Sequence, residues 1–65
     1  MNLDTIQGKW KQMMGDAKIQ WGKFTDDEMT QIDGNKDKLV GMVQERYGKT
    51  KDDAQREVDS FFNKY

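Results

Sequence analysis

Apolar side chains recur along the first third of the chain at Leu3, Ile6, Trp10, Met13, Met14, Ala17 and Trp21. At about 100° per residue they fall within about 60° either side of one line, the apolar stripe of an amphipathic helix. Gly22 stands where a C-terminal glycine cap ends such a helix. Thr25 with Glu28 three residues later reads as a capping box, and Asp26 and Asp27 place further negative charge in the first turn. A short helix carrying Met29 and Ile32 follows, broken by Gly34 and Asn35. The next carries Leu39, Val40, Val43 and Tyr47 and ends at Gly48. Thr50 with Asp53 opens the last, which carries Ala54, Val58, Phe61 and Phe62. The pattern predicts four helices, at about 4–21 with Gly8 a candidate bend, 26–33, 36–47 and 51–63. The expected core is Ile6, Trp10, Met13, Ala17, Trp21, Phe24, Ile32, Leu39, Val40, Val43, Tyr47, Val58 and Phe61. No segment alternates apolar and polar residues, and Val and Ile together fill only six positions, so no strand is expected.

Shifting the sequence by 26 residues lays Gly8, Gly15 and Gly22 on Gly34, Gly41 and Gly48, which uses all six glycines. Trp21-Gly22-Lys23 falls on Tyr47-Gly48-Lys49, and Asp26-Asp27 on Asp52-Asp53. Nine of the 39 overlaid positions are identical, more than shared helix punctuation alone requires. The pattern reads as an internal duplication. The expectation is a single all-α domain over residues 1–65, with four helices arranged as two packed helical hairpins. Interior helical glycine costs about 1 kcal/mol relative to alanine, so Gly8, Gly15 and Gly41 call for a reason. Either they let another backbone approach closely, the reading favoured for Gly41, or they soften the helix for ordering by a partner.

Composition narrows the chemistry. The 65 residues contain no Cys and no His, which removes disulfides, thiolate sites, the commonest metal ligand and the commonest general base. Mean hydropathy is −1.12, and 35% of residues are charged. The net charge of −1 argues against a dedicated polyanion binder, although residues 1–25 carry a net +2 and the remainder a net −3. No apolar run approaches the length of a membrane span, and no signal peptide is visible at the N-terminus.

Each chemical motif has a plainer structural account. Asp33-Gly34-Asn35-Lys36-Asp37 begins like a calcium loop, but its sixth position is Lys38 where a glycine is needed and its twelfth is Gln44 where a glutamate is needed. It reads better as an inter-helix turn. Asp26, Asp27 and Glu28 are the densest carboxylate group, and their place at a helix start accounts for them. Ser60, the only serine, has no histidine to activate it, and no glycine-rich nucleotide fingerprint occurs. The expectation is no enzyme activity, no catalytic residue, no cofactor and no metal. Lys9, Lys11, Lys18 and Lys23 flank the two tryptophans and form the candidate interaction surface. Basic grooves with stacking aromatics bind single strands, but both indoles lie on the apolar stripe, where a small core needs their area. Nucleic acid is therefore a second alternative, behind an adaptor that binds a protein partner. A monomer is expected.

Gly8-Lys9-Trp10-Lys11-Gln12, Trp21-Gly22-Lys23-Phe24-Thr25-Asp26-Asp27, Leu39-Val40-Gly41 and Gln44-Glu45-Arg46-Tyr47-Gly48 together resemble the CsbD-like family of small bacterial stress proteins. The resemblance covers nearly the whole chain in one register. It implies a cytoplasmic bacterial protein that accumulates under general stress, with a SAM-like pair of helical hairpins. It implies no biochemical activity and transfers no catalytic or ligand residue.

Overall fold

The computed structural model describes the backbone of residues 3–65 and the side chains from Gly8 onward. Four helices follow in order: α1 (Leu3–Gln20), α2 (Asp26–Ile32), α3 (Lys36–Tyr47) and α4 (Lys51–Phe62). No strand occurs among the described residues. The chain divides at Asn35/Lys36 into two compact units, the first holding α1 and α2 and the second α3 and α4.

In the first unit, α1 presents Trp10, Met13 and Ala17 on one face, all buried, and Trp21 just beyond its end is buried with them. The helix runs unbroken through Gly8. Its last turn closes with the Trp21 N–H donating to the Ala17 carbonyl (2.8 Å), and a tight turn follows in which the Phe24 N–H donates to the Trp21 carbonyl (3.2 Å). Gly22 lies in that turn without taking the left-handed conformation, so it is not the C-cap glycine that its position suggested. The turn carries Phe24 inward, its ring 6.4 Å from that of Trp21.

The short α2 is held at both ends. Thr25 accepts from the Glu28 N–H (3.2 Å) while Glu28 Oε1 accepts from the Thr25 N–H (3.0 Å), the reciprocal pair that the sequence predicts. At the other end Asp33 takes the left-handed conformation (φ 49°, ψ 41°) and donates its N–H to the Met29 carbonyl. Gly34 follows at φ 76°. The Asn35 N–H then reaches the Ile32 carbonyl at 2.8 Å. Two successive positive φ values make this a type I′-like turn, which Asp-Gly favours. Met29 and Ile32 are buried, and the Met29 carbonyl also accepts the Trp10 indole N–H (2.7 Å), which ties α1 to α2.

In the second unit, α3 buries Leu39, Val40 and Val43. Gly48 ends it at φ 62°, and the Lys49 N–H returns to the Gln44 carbonyl (3.2 Å). That is the Schellman arrangement, which favours a residue free of a Cβ. Thr50 caps α4 by accepting from the Asp53 N–H (3.2 Å). Ala54, Val58, Phe61 and Phe62 are the buried face of α4, which packs on α3.

The expected core differs at its margins. Tyr47 is only half-buried, while Met29, Ala54 and Phe62 are buried as fully as the residues expected there. Ile6 lies outside the described side chains. Both units run helix, turn, helix, and Met13/Leu39 and Ala17/Val43 are buried pairs in the 26-residue register. The glycine pairs behave differently. Gly8 sits inside a helix whereas Gly34 sits in a left-handed turn, and only Gly48 of the Gly22/Gly48 pair is left-handed. The caps Thr25 and Thr50 lie 25 residues apart, because Gly22 and Thr25 are separated by one residue more than Gly48 and Thr50.

Candidate interaction surface

The acidic groups singled out in the sequence are engaged in the fold. Asp26, Asp27 and Glu28 occupy the first turn of α2, where its free N–H groups and dipole favour negative charge. Asp26 in addition pairs with Lys18 of α1. Across Asp33 to Asp37 there is no loop long enough to wrap a cation, since Asp33 caps α2 and Lys36 and Asp37 already belong to α3. Among the described residues no three His, Cys, Asp or Glu side chains converge as metal ligands. Ser60 is exposed on α4.

The sequence did not signal the charge cluster of the second unit. Lys36, the first residue of α3, pairs with Asp59 of α4 at 2.5 Å, and Gln55 donates to the same carboxylate at 2.9 Å. The Lys36 ammonium also lies 5.8 Å from the centre of the Phe62 ring. The Lys36 and Gln55 hydrogen bonds hold the Asp59 carboxyl below its ordinary pKa. A second pair, Lys49 with Glu57, links the turn to α4. These are half-exposed contacts of the kind that fasten two helices.

The four candidate lysines do not form one surface. Lys9 and Lys11 are two residues apart on one continuous helix, so they point about 200° apart around its axis. Lys11 and Lys18, seven apart, share a side, and Lys18 is already paired with Asp26. Lys23 lies in the turn after α1. Trp10 and Trp21 are only 3% and 1% exposed, so neither indole offers a face on which a base could stack.

Exposed apolar surface is scarce. Among the described residues Ile19, 84% exposed, is the one large hydrophobic side chain turned to solvent. Met13 and Met29 are core residues and Met14 and Met42 are half-buried, so the methionines are mostly spent on packing. A groove of about 360 Å³ runs between α1 and the end of α2, lined by Trp10, Lys11, Met14, Thr30 and Asp33. Its apolar floor and two opposite charges could accept a side chain of another protein. No helix among the described residues is long and apolar enough to cross a membrane.

A family profile described as CsbD-like matches residues 4–56. The chain belongs to the CsbD-like family. A UPF0337 protein of Bordetella pertussis is 58% identical over 64 residues, covering 98% of this chain and 97% of its own length. The UPF0337 protein YjbJ of Escherichia coli O6:H1 is 55% identical over 65 residues, covering 100% and 94%. A UPF0337 protein of Pectobacterium atrosepticum is 58% identical over 41 residues, covering 63% and 59%. The Gly8–Gln12 and Trp21–Asp27 segments that carried the resemblance both lie within the CsbD-like match. In the fold they supply two buried tryptophans, a turn and a capping box, so packing accounts for much of what makes them distinctive.

Proposed function

We propose that this chain is a cytoplasmic bacterial stress-response protein that acts without catalysis, through its abundance or through weak contacts with other proteins. Membership of the CsbD-like family carries the reading. The engaged state of the carboxylates supports it, because acid–base chemistry needs a group held in a desolvated cleft with its pKa moved toward neutrality. The Asp59 carboxyl runs the other way, held below its ordinary pKa by the Lys36 and Gln55 hydrogen bonds.

The groove beside Trp10 and Met14 favours a second reading, an adaptor that seats one side chain of a protein partner. Nucleic-acid binding is the weakest of the three, given the scattered lysines and the closed indoles. A pull-down from stationary-phase lysate at moderate salt, with and without nuclease, separates them. The proposed reading predicts no near-stoichiometric partner in either arm. One protein retained in both arms would make the chain an adaptor. Retention that disappears with nuclease would make it a nucleic-acid binder, and its affinity would then fall steeply with salt.

A further inference from the structure

Gly8 and Gly15 are exposed interior residues of α1, and among the described residues a Cβ built at either would meet nothing within 4 Å beyond its own helix backbone and chain neighbours. Neither is therefore needed for close packing among the described residues, and neither takes a left-handed conformation. Their remaining physical effect is on the helix itself, since glycine weakens it relative to alanine. The face they weaken is the outer one, while the inner face of the same helix holds Trp10, Met13 and Ala17. The seven residues of α2 are too few to stay helical without α1 to pack on. Opening α1 thus releases Met29 and Ile32 as well.

We propose that Gly8 and Gly15 keep α1 poised to open locally, and that the opened unit offers Trp10, Met13, Met29 and Ile32 to exposed apolar segments of a partly unfolded protein. The proposal rests on the protective reading above and gives it a working surface. In the closed form Ile19 is the one large apolar side chain exposed among the described residues, so there is little for such a client to hold. The opened form has two methionines and a tryptophan, side chains that adapt to irregular apolar partners. Local opening of this kind is drawn from the least stable part of a fold.

Native-state hydrogen exchange and a client-protection assay test it together. The wild-type amides of Trp10–Gln20 should exchange through a lower-energy opening than the amides of α4. Gly8→Ala with Gly15→Ala should slow the α1 amides about twenty-fold, the two alanine gains combined. Its suppression of client aggregation should fall with that opening. Gly41→Ala, equally open but on α3, should leave protection at the wild-type level. The proposal is overturned if α1 exchanges no faster than α4. It is also overturned if the double variant slows exchange yet protects as well as the wild type. A wild type that protects no better than an equal mass of an unrelated small protein would overturn the protective reading, and this proposal with it. That failure is distinct, because in the other two the wild type still protects.

Discussion

Trp10 and Trp21 show how much rests on single residues in a chain this short. A chain of about 65 residues buries only roughly 60% of the surface that it exposes when unfolded, and domains of that size are stable by about 5 kcal/mol. Trp21→Ala should remove about 3–5 kcal/mol of that and leave the chain largely unfolded, read by circular dichroism on heating. A cooperative melt near the wild-type temperature would show that Trp21 is not core. The glycines allow a sharper comparison. Gly48→Ala places a Cβ on a residue at φ 62° and should cost about 1–2 kcal/mol. Gly22→Ala should change stability by only a few tenths, since its Cβ would meet only the Lys18 carbonyl at 3.9 Å. Equal losses at the two sites would contradict the conformations described. In the sequence the two glycines look alike, because each follows an aromatic and precedes a lysine. Which of them turns left-handed depends on the length of the turn that follows, and that turn differs by the one residue, Phe24, that is drawn into the core.

At the scale of the elements, α2 owes its existence to its ends, with only Met29 and Ile32 buried between them. Thr25→Ala should lower the unfolding free energy by about 1 kcal/mol, measured in urea; no change would mean that the capping box is idle. Gly41→Ala should raise it by about 0.5–1 kcal/mol, because the site is open and helical. No atom of the described chain outside its own helix backbone and chain neighbours lies within 4 Å of a Cβ built at Gly41, so close packing inside the chain does not account for that glycine. In α4 the hydrogen bonds from Lys36 and Gln55 lower the Asp59 pKa in the folded state. A carboxyl lowered by folding contributes stability that is complete above its unfolded value, about 3.9, and is lost as pH falls through the lower folded value. Asp59→Asn should therefore flatten the fall in urea midpoint between neutral pH and pH 3, and an unchanged acid limb would show that the cluster contributes nothing. Helix positions and the threonine N-caps were legible because 3.6-residue periodicity and capping residues are local signals, whereas the cap expected at Gly22 was misplaced. The Lys36–Asp59 cluster was not, because it joins residues 23 apart through the packing of α3 on α4.

On the scale of the whole molecule, the described residues spend their large apolar side chains mostly on the core and leave a charged exterior. Residues with high core value, including two tryptophans, two methionines and three phenylalanines, are buried, and Ile19 stands alone outside among the described residues. The candidate lysine surface was read from proximity in sequence, and the helix scatters it, because neighbours in sequence are not neighbours on a helix face. The family, by contrast, was legible, since its motifs are continuous stretches of sequence that need no tertiary contact to be recognised, two inside α1 and α3 and two at or running into the turns that follow them. The protective role proposed above requires that this molecule preserve other proteins under stress without catalysis. The direct test is the residual activity of a labile enzyme after repeated freeze–thaw, with this chain or with an equal mass of an unrelated protein of similar size and hydropathy. Higher residual activity is expected with this chain, and equal activity in the two samples would rule the protective role out.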